Sequence, residues 1–195
     1  LTRAQQQEQT HERLLDAGRA VFVRRGFLAA TVEEVAAEAG YTRGAVYKHF
    51  GGKEGLWQAI TAGYVELHLG RLRTALAAAT TPAGLVTALL PTAALADPDM
   101  SRWIIASAEF LAAVAAQPDR AAALAAAQQR HDAEVTTLLA THCARLDITP
   151  TIPFPALVTA IGALGSGLAL RHAVDPTTNI PALATTVLTA LLRTA

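Results

Sequence analysis

The sequence predicts an all-α fold: an amino-terminal three-helix module, joined by a long helix to a larger helical body. Three observations lead there. Apolar residues recur at helical spacing along the chain, and strand-type alternation is absent. The composition is rich in Ala and Leu, with only 5% aromatic residues. Pro82, Pro98, Pro118, Pro153 and Pro181 each stand where a new helix can begin, which suits proline in a first turn. The expected division is a module over 1–52 and a body over 53–195, with the helix over 53–79 as connector.

The first helix is expected from about Gln6 to Arg25. Leu14, Leu15, Val21 and Phe22 form its apolar face, and Gly26 is its stop. Gly18 falls on that face, where it weakens the helix slightly but lets a neighbour pack close. Thr31 then reads as an N-cap, and Glu34 three residues later completes a capping box. Val32, Val35, Ala36 and Ala39 form the inner stripe of a short second helix, which Gly40 ends in a left-handed turn. Thr42 caps a third helix in which Ala45, Val46 and Phe50 face inward. Gly51-Gly52 closes that helix and Lys53 opens the next.

Two short helices joined by a tight turn are a helix-turn-helix, whose second helix enters the DNA major groove. Arg43, Gly44, Tyr47 and Lys48 point outward from that second helix. Arg43 lies at its amino end, where a guanidinium can bond a guanine with two prongs. Gly44 lets the backbone approach closely, and Lys48 suits either a base or a phosphate. Tyr47, His49 and Lys53 suit phosphate oxygens, which position without reading sequence. Thr31 and Thr42, at helix starts, complete the expected contact set. A short basic helix can also be only a solvated surface. The capped helix, glycine turn, aromatic-basic helix and Gly-Gly-Lys exit together favour the groove reader.

These residues resemble the tetracycline-repressor (TetR) family of transcriptional regulators. The likeness lies in Gly26-Phe27, Thr31-Val32, Val35-Ala36, Ala39-Gly40, Gly44, Tyr47-Lys48-His49-Phe50 and Lys53-Glu54-Gly55-Leu56. It covers roughly the first 60 residues; beyond them it is architectural. Trp103, the Gln117-Pro118-Asp119 break and Gly167-Leu168-Ala169-Leu170 before Asp175-Pro176 resemble later helices of the family. The resemblance implies a homodimeric, cytoplasmic, non-enzymatic regulator. It is usually a repressor, released from a pseudo-palindromic double-stranded operator by a small molecule. Several members carry a bulkier or polar residue where Ala45 stands, so base contacts here would rest on Arg43, Tyr47 and Lys48.

In the connector, Leu56, Trp57, Ile60, Tyr64, Leu67 and Leu72 supply the expected inner stripe. Further helices are expected near 82–96, 98–116, 118–146, 153–173 and 181–194, with Pro91 kinking or splitting the first of these. In the penultimate helix Leu157, Ile161, Leu164 and Leu168 run beside the small residues Ala156, Ala160, Ala163 and Gly167. In the last, Leu183, Val187, Leu188, Leu191 and Leu192 recur. Ala156, Ala160, Ile161, Leu164, Gly167, Leu183, Val187 and Leu191 are therefore the candidate dimer contacts, with ordinary internal core as the alternative.

The middle helices offer a candidate pocket for a mainly apolar inducer. Met100, Trp103, Ile104, Ser107, Phe110 and Leu111 share a face, with Glu109 on the exposed side. Leu124, Gln128, His131, Val135 and Leu138 fall near one stripe of the next helix. Trp103, Ser107, Phe110, Gln128 and His131 would line the site, with Tyr64, His68 and Leu168 nearby. The alternative makes Trp103 and Phe110 plain core and His131 half-exposed. By family analogy, a ligand there would shift the connector and spread the two readers.

The chain has 16 basic and 16 acidic residues, which argues against a protein coated in nucleic acid but not against a local reading patch. The single cysteine, Cys143, excludes an internal disulfide and suits a reducing compartment. Gln5-Gln6-Gln7-Glu8 is too polar for a signal peptide, and Leu1 suggests numbering that begins inside the gene product. Ile148 to Leu170 is uncharged, but Pro150, Pro153 and Pro155 are expected to leave too short an apolar helix for a membrane. The six histidines show no metal-ligand spacing, Gly162 to Gly167 follows no strand, and no nucleophile–base pair stands out, so no metal, cofactor or catalytic residue is expected. A helical carrier or enzyme that binds a small molecule without DNA is the alternative class, but it leaves Thr31–Lys53 unexplained.

Overall fold

The computed structural model describes residues 2–90 and 97–194; the predicted Pro91 kink lies outside them. In chain order the helices are α1 (Arg3–Ala29), α2 (Val32–Ala39), α3 (Arg43–Phe50), α4 (Lys53–Ala78), α5 (Pro82–Leu89), α6 (Pro98–Ala115), α7 (Pro118–Arg145), α8 (Phe154–Val174) and α9 (Ile180–Leu191). Two short strands, β1 (Ile148–Pro150) and β2 (Leu192–Thr194), pair antiparallel. The chain forms two compact units. The first holds the residues up to Leu67 and Ile105–Phe110; the second holds the rest. The first unit thus extends beyond the expected module into α4 and takes a piece of α6.

In the first unit α1 buries Leu14, Ala17, Gly18, Val21 and Phe22, one face of a helix repeating every three to four residues. Gly18 is needed small, since a Cβ there would lie 2.8 Å from Leu56 Cδ2. The helix breaks at Gly26, whose φ of 79° and ψ of 170° are open to glycine at little cost. Beyond the break Phe27 joins an aromatic cluster. Its ring centre lies 5.0 Å from Phe110 and 5.2 Å from Trp57, both edge-on, and Phe22 meets Trp57 at 5.0 Å.

Glu109, expected on the exposed side of its helix, turns into this unit. Its carboxylate accepts the Leu28 N–H at 2.9 Å. The break at Gly26 leaves that amide without a helical partner, and the carboxylate supplies one.

The buried stripe of α4 also differs from expectation. Leu56, Trp57 and Ile60 are buried in the first unit, and Leu69, Leu72 and Leu76 in the second, while Leu67 is half exposed at 50%. At 3.6 residues per turn these sets occupy different sides of the helix, so a single stripe through Leu67 fails.

In the second unit α7 buries Val135, Leu139 and Cys143, α8 buries Leu157, Val158, Gly165, Leu168 and Ala169, and α9 buries Ile180, Ala184 and Leu188. Arg145 Nη2 donates to the carbonyls of Leu76 and Ala79, which closes the carboxyl end of α4. Arg73 and Glu134 form an ion pair. The last helix is shorter than predicted, because 192–194 leave it to pair with 148–150. Three residues are too few to show alternation, so the ribbon had no sequence signature. The prolines before α8 do not shorten it as expected. Pro155 sits in the first turn, where no amide is needed, and α8 runs 21 residues with mean hydropathy 1.4.

A side chain at Gly55 would overlap the Phe50 carbonyl oxygen. The Gly55→Ala variant is therefore expected to lose about 1–3 kcal/mol of unfolding free energy by opening the α3–α4 turn. Urea titration followed by circular dichroism checks this; an unchanged midpoint would show that the turn has slack.

Candidate nucleic-acid interface

The predicted capping box opens α2. Thr31 Oγ1 accepts the Glu34 N–H at 3.1 Å, and Glu34 Oε2 accepts the Thr31 N–H at 3.0 Å and its hydroxyl at 3.2 Å. The backbone bond from Thr31 is the main reason the Glu34 carboxyl titrates below its ordinary value, with Arg25 adding to it. Gly40, at φ 73°, ends the helix in the left-handed region, and its N–H returns to the carbonyls of Ala36 and Ala37. Thr42 takes the N-cap position of α3, but its side chain makes no cap bond, in contrast to the expected one.

Helix α3 fully buries only Val46. Thr42, Arg43, Gly44, Tyr47 and Lys48 are exposed, while Ala45, His49 and Phe50 are half-buried. A Cβ at Gly44 would meet nothing nearer than Thr42 Oγ1 at 3.7 Å, so the space before this backbone is open.

Arg43 is held from two sides. Its Nη1 lies 3.1 Å from Glu33 Oε1, and its Nη2 donates to the Tyr47 hydroxyl at 3.2 Å. The guanidinium carbon stands 5.1 Å from the Tyr47 ring centre. The Tyr47 bond, before the Glu33 charge, raises the guanidinium pKa.

His49 meets His11 of α1 at 5.8 Å between ring centres, and the two line a surface cavity of about 340 Å³ with Ala4, Gln7 and Glu8. Burial, then His11 and Lys48, lowers the His49 pKa, so its neutral form is favoured.

Lys53 departs most from expectation. Its ammonium donates to the carbonyls of Phe27 at 2.9 Å, Leu28 at 3.2 Å and Ala30 at 3.0 Å, and lies 4.8 Å from the Phe27 ring centre. Instead of facing phosphate, the charge fastens the end of α1. Glu33, Glu109 and His11 are partners that sequence reasoning missed: Glu109 and His11 act across helices distant in sequence, and Glu33 acts across the turn between α2 and α3.

Residues 14–60 match the family of bacterial regulatory proteins called tetR. The chain thus carries the amino-terminal region of the TetR family. Over 59 residues it is 48% identical to the HTH-type transcriptional regulator SrpR of Pseudomonas putida, covering 30% of this chain and 28% of that protein. Over 79 residues it is 33% identical to the HTH-type transcriptional repressor KstR2 of Rhodococcus jostii, covering 40% and 39%. The matched part thus spans less than half the length of these curated relatives. A solved TetR-family transcriptional regulator from Pectobacterium atrosepticum is similar over 97% of this chain and 95% of its own, with a TM-score of 0.68 and 27% identity. These proteins carry the names of transcriptional regulators, not enzymes.

The residues expected around an inducer divide between the two units. Tyr64, Ser107 and Phe110 belong to the first; His68, Trp103, Gln128, His131 and Leu168 belong to the second. Phe110 is a member of the aromatic cluster, as the plain-core alternative had it. Tyr64 takes Arg19 against its ring at 5.1 Å. Gln128 is exposed and bonds Asp132 on its own helix at 2.8 Å, so it leaves the predicted inward stripe. Trp103 and Leu168 are buried, and Ser107 is half-buried. His131 is half-buried, and its Nδ1 is a buried atom with no hydrogen-bond partner. His68 reaches solvent, yet the protein crowding its ring, followed by His131 and Arg71, lowers its pKa. Among the described residues no group of three His, Cys, Asp or Glu side chains is placed to hold a metal.

The eight candidate dimer contacts all lie outside the buried core. Ala156, Gly167, Leu183 and Val187 are exposed; Ala160, Ile161, Leu164 and Leu191 are half-buried. Cβ atoms added at Gly162 or Gly167 would meet nothing within 4 Å.

Two predictions follow from these contacts. The Lys53→Met variant keeps the apolar stem but strands three carbonyls, and should lose about 1–3 kcal/mol of stability in chemical denaturation. An unchanged stability would show that water replaces the ammonium without loss. The depressed Glu34 carboxyl contributes stability that is complete above the ordinary value of 4.5 and disappears as pH falls through its lower folded value. Thermal melts across the acid range should therefore show a steeper fall for the parent than for Glu34→Gln; parallel curves would remove Glu34 from the acid response.

Proposed function

We propose that this chain is a homodimeric, sequence-specific DNA-binding regulator, and that it represses transcription until a small, mainly apolar inducer releases it. The reader face carries this reading: a capped helix and a glycine turn present Thr42, Arg43, Gly44, Tyr47 and Lys48 on one open helix surface. Arg43 supplies the base contact, while Tyr47, Lys48 and His49 steady the phosphates; Thr31, expected among them, gives its N–H and hydroxyl to Glu34 instead. The name of the relative KstR2, a transcriptional repressor, supports repression.

Dimerisation is supported by the apolar surface that α8 and α9 leave uncovered. Leu183 is 46% and Val187 38% exposed, and the small residues of α8 leave room for a neighbouring helix. By length and apolarity alone α8 is also compatible with crossing a membrane. Its small residues and the exposed face of α9 suit helix-to-helix packing between two copies. The inducer would occupy the second unit near His131, whose buried, unpartnered Nδ1 offers a polar anchor. Because α4 runs through both units, it is the proposed link between inducer and reader.

Selection from random duplexes tests this reading. The parent should recover a two-fold symmetric sequence with half-sites about 34–36 Å apart. Arg43→Ala should lose preference at one position per half-site, at a cost of about 1–3 kcal/mol. Recovery of no preferred sequence by the parent would overturn the proposal.

A further inference from the structure

We infer that Glu33 is a specificity-determining residue: its carboxylate, with the Tyr47 hydroxyl, holds Arg43 for a base edge and withholds it from phosphates. The inference rests on the DNA-reading function proposed above and assigns a role to a residue of the neighbouring helix.

Glu33 and Glu34 are adjacent in the first turn of α2, where either charge favours the helix dipole. Their contacts differ. Glu34 completes the cap with Thr31 and meets Arg25 at 3.2 Å. The cap therefore does not need Glu33, whose side chain reaches across the turn to Arg43 Nη1 at 3.1 Å. Both members of that pair are about 60% exposed, so the pair adds little stability. Its consequence lies in how the guanidinium is presented.

A guanidinium carries five N–H donors in a rigid fork. One nitrogen faces Glu33 and another bonds Tyr47, which leaves enough donors for a two-pronged bond to guanine. Two partners and the Tyr47 ring fix the orientation before DNA arrives, so less side-chain freedom is lost on binding. Phosphate is treated differently. A phosphate approaching Arg43 also approaches the Glu33 carboxylate, well within the screening length of about 8 Å at physiological salt. The attraction that drives non-specific binding is thereby cancelled at Arg43, while a guanine edge carries no net charge to be repelled.

The test uses the full-length protein and two duplexes of equal composition, one recovered by random-sequence selection and one scrambled. Glu33→Gln should bind the scrambled duplex more tightly, and the ratio of selected to scrambled affinity should fall about fivefold or more. On the scrambled duplex its plot of log affinity against log salt should steepen by about one unit per reader, as Arg43 becomes a phosphate contact. Glu33→Ser removes the same charge and should behave alike, which guards against a fault peculiar to glutamine. Glu34→Gln should change stability and leave the ratio and slope unaltered. Both Glu33 variants matching the parent in ratio and slope would overturn the inference, while the parent's preference for the selected duplex would leave the proposed function standing. A parent that binds neither duplex would overturn both.

Discussion

Two charged side chains, Lys53 and Glu109, grip the backbone that follows Gly26, and the first unit is arranged around that grip. When α1 breaks, carbonyls and amides that an unbroken helix would pair are set free. Lys53 takes the carbonyls of Phe27, Leu28 and Ala30, and Glu109 takes the amide of Leu28. The break itself has a second requirement beyond its φ of 79°: a Cβ on Gly26 would sit 2.7 Å from Glu109 Oε2. The aromatic cluster of Phe22, Phe27, Trp57 and Phe110 is possible only because the broken chain returns Phe27 toward α4. Lys53 is also the first residue of α4, so the exit from the reader and the end of α1 share one anchor.

This explains what was legible in the sequence. The capping box at Thr31–Glu34, the turn at Gly40 and the stop at Gly51 are local devices, each written within four residues, and each stands where expected. The helix starts at Pro82, Pro98 and Pro118 are legible for the same reason. The roles of Lys53 and Glu109 were not. Lys53 was expected to face phosphate and Glu109 solvent, and only the return of the chain at Gly26 gives them backbone to bind. Gln128 failed in the opposite sense: helical spacing put it on a stripe with Val135, but an aspartate one turn away offered its amide a partner in solvent. Leu67 failed because periodicity assumes one buried face, and α4 serves a different core in each half.

The formal neutrality of the chain also takes on a local meaning. In the reader unit Arg24 meets Glu38, Arg25 meets Glu34 and Arg43 meets Glu33, so each acid of α2 carries a basic partner. Lys53 is committed to carbonyls. The exposed face of α3 is consequently less cationic than its sequence suggests, with Lys48 the basic side chain in it that forms no ion pair among the described residues. A surface of this kind draws little from counterion release, the largest sequence-independent source of affinity for duplex DNA.

On the proposed reading, affinity must then come from elsewhere, and pairing of two readers is the physical remedy. Once one reader is seated, a second on the same rigid dimer binds at an effective concentration set by geometry, so two modest contacts act as one strong one. The gain vanishes if the two cannot engage together. The apolar faces left uncovered on α8 and α9 and the paired charges on α2 and α3 therefore belong to one argument. A reader that holds back its charges gains discrimination at the expense of strength, and in the proposed dimer the carboxyl-terminal helices would restore the strength by doubling the reader.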